Sequence, residues 1–443
     1  MKKKENEIRN LVRMFKNPRT FILFVIVCAL TCVSLFLFIS RPSQIDRLGI
    51  SYLELIDKKV VQKNIPSKFE EAYRADDFVI YGENLTFYHE KYTGKGDDMQ
   101  GMNVILKNVE TQDEISYTFS GGVDSGIQLG ALKQGLYEVY VYDHYIKKRL
   151  YFKKPVDSLN FSTLRREGKV HNVTVHAGKE YLEDFDVPMD KNYAFISVVE
   201  NIPMVKTIDV LIDPSGNVYN EQSNSVDYGV GNDLITEAKA SYEFALKIKA
   251  ELEKSGLRVE LTRDADGTPS YYGQHGRAGI GYEKQAKVFL SLGMFVDENI
   301  MRPYMMISPF TTGLLANDIS YNLGENGIQL PDVSAEEGLG YGILYDALKL
   351  DEEGNPTTLE LYPQLRETGG KATRVGQGDF AKGNKAYREN YGMNAISFHY
   401  ANLASIDSIH YFLDNQDLMA KTIAHGILDY YEIKEVEDET ANQ

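Results

Sequence analysis

Cysteine is nearly absent: the only two, Cys28 and Cys32, stand one helical turn apart in a single apolar run, and nothing after residue 32 carries a thiol. The rest of the chain can therefore hold no disulfide and no cysteine nucleophile, and the pair reads as two small apolar residues in lipid. Basic residues are outnumbered by acidic ones beyond the first 19 residues. Seven Lys or Arg against two Glu give that tail a net +5, leaving −21 for the remainder of a 443-residue chain whose total is −16. Such a surface repels a phosphate backbone, which excludes nucleic acid as a partner for the bulk of the protein. No internal repeat or low-complexity tract is present. Gly369, Gly370, Gly376 and Gly378 have neither Walker nor dinucleotide spacing, which excludes a phosphate-binding loop there. The charges among them, Arg366, Glu367, Lys371 and Arg374, read as a solvated loop.

What is present sorts into segments. Residues 1–19 form a basic tail, and residues 20–40 are 21 uncharged residues, long enough to cross a hydrocarbon core as a helix. The basic flank places the N-terminus in the cytoplasm. The run is longer than a signal-peptide core and no small-x-small cleavage site follows it, so it reads as an uncleaved single-pass anchor with the bulk of the chain extracytoplasmic. Residues 41–76 read as a charged stalk with one or two short helices. From 77 to 199 short alternating runs such as NVILKNV, EISYTF and YEVYVYD, separated by turn glycines, predict an all-β sandwich of immunoglobulin-like type. His144, His171 and His176 in these runs read as ordinary surface histidines. Residues 191–204 read as the linker to a C-terminal domain at 205–433, and 434–443 as an acidic tail.

The C-terminal domain is organised around residues 207–264. Ile208, Val210 and Ile212 mark a buried strand that must turn at Asp213-Pro214-Ser215-Gly216-Asn217. Helical spacing then runs from Leu234 to Lys254 through Ala238, Tyr242, Ala245, Leu246, Ile248 and Leu252, and Gly256 is placed to end the helix. Arg258 to Leu261 forms a second strand. Strand, helix and strand at this spacing predict a βαβ unit, and so an α/β domain with a mixed sheet flanked by helices.

Three stretches, "IDPSGN", "GVGNDLITEAKASYEFALKIKAELEKSGLRVELTRDAD" and "GRAGIGYEKQAKVFLSLGMF", with a closing "GMNAISFHYANLASIDSIHYFLDN", resemble the zinc-dependent N-acetylmuramoyl-L-alanine amidases of bacterial cell walls. The resemblance implies an amidase-like scaffold over about half of the chain. It puts a zinc-binding Glu at Glu237 and a helix Arg at Arg277, but puts the two zinc histidines at Gly216 and Gly293 and the general-base Glu at His399. Glycine offers no side chain, and a catalytic zinc needs three protein ligands beside an open position. The implied reading is a catalytically degenerate member, a pseudoenzyme without cofactor, that binds peptidoglycan or a cell-wall enzyme partner. Zinc is implied only if Asp213, Glu237 and His399 rebuild a site, in which case the chain is an active amidase that cuts the N-acetylmuramoyl-L-alanine bond.

Overall fold

A computed structural model describes residues 51–434 apart from 82–83, 90–98, 100, 120–125, 158–160, 166–168, 202–207, 272–275, 285, 308–312, 336, 346–347, 351–355, 360–370 and 374–392. The basic tail 1–19, the anchor 20–40 with Cys28 and Cys32, the acidic tail beyond residue 434 and the loop side chains at 366, 367, 371 and 374 lie outside the described residues. Among those described, no helix is long and apolar enough to cross a membrane.

The first half opens with a 3-10 turn at Tyr52–Glu54 and helix α1 (Lys58–Asn64). Twelve strands follow: β1 (Ala72–Ala75), β2 (Asp77–Tyr81), β3 (Asn84–Tyr88), β4 (Asn103–Asn108), β5 (Glu114–Thr118), β6 (Ile127–Gln128), β7 (Gly135–Asp143), β8 (Ile146–Phe152), β9 (Val156–Asp157), β10 (Phe161–Arg165), β11 (Lys169–Ala177) and β12 (Asn192–Asn201). Nine of them make one sheet in the order β10-β11-β12-β8-β7-β4-β5, with β1 parallel to β8 and β9 beside β11. Strands β2, β3 and β6 belong to a smaller sheet that shares a core with it. There Phe78 and Phe87 meet Phe152 at 5.9 and 6.1 Å, and Val104, Val139, Val173 and Val175 fill in around them.

Two sequence expectations fail here. Residues 51–75 are not a stalk, because the apolar side chains of Tyr52, Ile56, Val61 and Ile65 cover the second face of the large sheet against Leu136, Tyr193 and Phe195. Residues 191–204 are not simply a linker either. Strand β12 pairs with β11, β7 and β8 near the middle of the sheet, and Ala194, Phe195, Ile196 and Val198 are fully buried. With both faces covered, the nine-stranded sheet departs from an immunoglobulin-like arrangement. It also buries an ion pair that the sequence does not announce. Arg149 Nε lies 3.5 Å from Glu138 Oε1 with both side chains out of solvent, and the guanidinium sits 4.6 to 5.5 Å from the rings of Phe69, Tyr140, Tyr193 and Phe195. Burial pushes the Glu138 carboxyl up, while Arg149 and the nearby lysines pull it back. Of the three histidines, His144 is exposed in a hairpin turn, His171 is buried with Nδ1 3.2 Å from the Leu132 carbonyl, and His176 stacks on Tyr181.

The second half contains β13 (Val210–Pro214), the hairpin β14 (Val218–Asn220) and β15 (Ser225–Asp227), α2 (Glu237–Lys254), β16 (Val259–Leu261), α3 (Arg277–Glu283), β17 (Val288–Phe295), β18 (Tyr304–Ile307), α4 (Leu314–Glu325) and β19 (Ile343–Tyr345). A second hairpin, β20 (Leu348–Leu350) and β21 (Pro356–Leu359), precedes β22 (Lys371–Thr373), β23 (Asn394–Asn402) and α5 (Ile406–Tyr430). Strand β22 pairs with β2 of the small sheet. The central sheet runs β16-β13-β17-β23-β18-β19. The first four of these strands are parallel and β18 is antiparallel to β23, so the sheet is mixed and flanked by helices.

On one face α2, α4 and α5 pack onto Val210, Ile212, Leu290, Leu292, Ile396 and Phe398. Phe412 of α5 lies 5.3 Å from Phe244 and 4.4 Å from Tyr400. Helix α2 starts three residues later than its apolar spacing suggests. The Asn232 side chain accepts hydrogen bonds from the amides of Leu234 and Ile235, a local turn that competes with the helix and leaves Leu234 53% exposed. Leu246 also faces solvent, and Phe244 takes the interior position.

Candidate functional site

In an open parallel sheet, ligand crevices form outside the C-terminal strand ends. Asp213, one residue before the end of β13, is fully buried. The Thr262 hydroxyl donates to its Oδ1 at 2.8 Å, while Arg277 and the Ser291 hydroxyl donate to Oδ2, both at 3.2 Å. Asp213 thus joins β13 to the residue after β16, to the start of α3 and to β17. Arg277 is buried with it, 3% exposed, and stacks 4.5 Å over Tyr271. Arg263, unremarked in the sequence beyond its place in a Thr-Arg-Asp triplet, donates to the carbonyls of Pro214, Ser215 and Ala238. It fixes the turn after β13 against the first turn of α2.

Glu237 is the first residue of α2 and is buried. The Met294 amide donates to its Oε1 at 2.8 Å and the Val230 amide to its Oε2 at 3.0 Å, and its own amide donates to the Val230 carbonyl. The Met294 amide lies on the β13 side of β17, as the amide of Val288 does, but beyond the end of β13 at Pro214. On the other side of β17, Gly293 opposes His399 but Met294 opposes Ala401, leaving Tyr400 as an extra residue. Burial pushes the Glu237 carboxyl up, and the two amide bonds pull it part of the way back.

Two glycines meet at this carboxylate, and a third packs on the next residue of α2. A Cβ on Gly293 would stand 3.2 Å from both Glu237 Oε1 and Ser215 Oγ, one on Gly229 2.4 Å from Glu237 Oε2, and one on Gly216 2.7 Å from the Cα of Ala238. Gly216 also holds φ +79°, a left-handed value that a histidine adopts only with strain.

His399 lies on β23 between Gly293 of β17 and Tyr304 of β18. Its ring stacks flat on Tyr304 at 4.7 Å and meets Phe295 edge-on at 6.2 Å, and its Nε2 is 3.2 Å from the Ser397 hydroxyl. Burial alone drives its pKa down to about 4, so the ring is neutral near pH 7.

These positions do not fit a zinc ion. Both Asp213 oxygens hold donors from three elements, both Glu237 oxygens hold backbone amides, and His399 is packed between aromatic rings. Among the described residues, no three His, Cys, Asp or Glu side chains come close enough to hold a metal. The Asp213, Glu237 and His399 constellation that the sequence allowed is not assembled, since each of these groups is turned to a different partner. Arg277 directs its charge inward, to Asp213.

No protein-family model matches the chain, and no curated protein matches it. Solved structures similar to it include the catalytic domain of CwlV, an N-acetylmuramoyl-L-alanine amidase from Bacillus (Paenibacillus) polymyxa var. colistinus, with TM-score 0.33 and 18% identity over 52% of this chain and 100% of that one. The amidase AmiC2 of Nostoc punctiforme is similar with TM-score 0.31 and 18% identity over 51% of this chain and 97% of its own. The CwlD amidase of Clostridioides difficile, solved in complex with the GerS lipoprotein, gives TM-score 0.33 and 15% identity over 52% and 100%.

Proposed function

We propose that residues 205–433 form a non-hydrolytic domain of the N-acetylmuramoyl-L-alanine amidase type, which binds peptidoglycan or regulates a cell-wall enzyme from the outer side of a membrane anchored by residues 20–40. The motif resemblance supplies the wall assignment. One observation carries the loss of hydrolysis: of the three positions where that motif places zinc ligands, two are glycines, which have no side chain to offer, and the third, Glu237, has both oxygens on amide protons. A metal-activated water needs three donors holding the ion and one open position, and these residues supply neither.

The test is incubation of the full-length chain, in detergent, with purified sacculi. Co-sedimentation with no new L-alanine amino termini in the soluble fraction is the expected result. Release of such peptides, abolished by a chelator, would instead establish an active amidase. Failure to sediment at all would leave a scaffold without wall affinity.

A further inference from the structure

Glu237 does not behave as an ordinary first-turn glutamate. An acid that only stabilises a helix start bonds the helix's own first amides or the amide of its cap. Here the bonded amides lie outside α2, seven residues before Glu237 at Val230 and 57 residues after it at Met294. The Met294 amide needs such an acceptor because it points to the β13 side of the sheet beyond the end of that strand at Pro214. The flanking cap, Thr236, makes no side-chain cap bond, so Glu237 is not one half of a capping box.

We infer that Glu237 is a positioning residue: its carboxylate fastens the loop before α2 to the end of β17, and with Gly229 and Gly293 packed on that carboxylate and Gly216 on the backbone of Ala238, restoring the missing histidines does not restore a metal site. The fastening stands on geometry alone. Its equation with a former zinc site rests on the reading above.

Both halves are tested on the full-length chain. Hydrogen exchange read by mass spectrometry compares wild type with Glu237→Ala and Glu237→Gln. In the Ala variant the amides of Val230 and Met294 exchange about tenfold faster or more, together, while the β13–β17 ladder keeps its protection. In the Gln variant one oxygen remains, so one of the two amides stays protected. Unchanged exchange at either amide in the Ala variant overturns the fastening. If that variant does not fold, equal wild-type protection at both amides in the Gln variant does so.

The closure is read separately, as zinc retained by Gly216→His combined with Gly293→His after equilibration and desalting. No retained zinc is expected. A bound ion lost again on Glu237→Ala overturns the closure without touching either the fastening or sacculus binding. Gly293→His alone serves if the pair does not fold, since its nearest neighbours are side-chain atoms at 3.2 Å that can shift.

Discussion

Replacing Arg277 by Met removes the cation from a pair whose members are 3% and 0% exposed and 3.2 Å apart. At an effective dielectric of about 20, charges at that distance attract by roughly 5 kcal/mol, and removing one partner of such a buried pair costs about 3–5 kcal/mol because the other charge stays in place without it. Asp213 would keep only the hydroxyls of Thr262 and Ser291. The α/β sheet is therefore expected to lose about 3–5 kcal/mol of opening free energy, read by native-state hydrogen exchange over β13 and β17. The double variant Arg277→Met with Asp213→Asn removes both charges of the pair and should lose at least about 1 kcal/mol less than the two single losses added together. A single-variant loss below about 1 kcal/mol, or strictly additive losses, would refute the claim that Asp213 and Arg277 are spent on each other.

Further outcomes follow from other contacts. Gly426→Ala places a methyl 2.5 Å from the Cα of Ile319, forcing α5 from α4 at about 1–3 kcal/mol, measurable as a lowered thermal midpoint. Val61→Asp puts a charge into a fully buried site and should release the 51–71 segment to limited proteolysis while the α/β domain stays resistant. His399 gives a pH slope. Its pKa is about 4 in the native state against 6.5 in the unfolded chain, so the unfolded state binds the proton first, and stability is full above pH 6.5 and falls as pH drops toward 4. At about 1.4 kcal/mol per unit, the loss approaches roughly 3 kcal/mol at pH 4. His399→Phe should lack that component when the two denaturation-versus-pH curves are compared, and parallel curves would contradict it.

The β13-α2-β16 unit was legible because a period of two gives way to one near 3.6 and Gly256 marks the stop. The start of α2 was not, because Asn232 sets a turn through its side chain and apolar spacing does not register that competition. Residues 51–75 carry the right apolar side chains, but the sheet face that buries them is formed by residues more than 70 positions later, which no local pattern reveals. In β8 nothing local distinguishes the buried Arg149 from Lys147 and Lys148 before it. Both faces of the sheet are covered, so strand parity does not separate inside from outside there. At the site, the identities of Gly216, Gly293 and Glu237 were plain, and what Glu237 holds was not. Its partners are backbone amides, one of them beyond the end of β13, and a backbone donor has no side-chain signature.

The central claim is that Asp213, Glu237 and His399 of this α/β domain are committed to partners inside the fold and do not hold a zinc ion. It is tested most directly by the zinc content of the full-length chain after equilibration with Zn²⁺ and desalting, beside a Glu237→Ala control. The account predicts no retained zinc in either protein. One zinc ion per chain in the wild type, absent from the control, would contradict it.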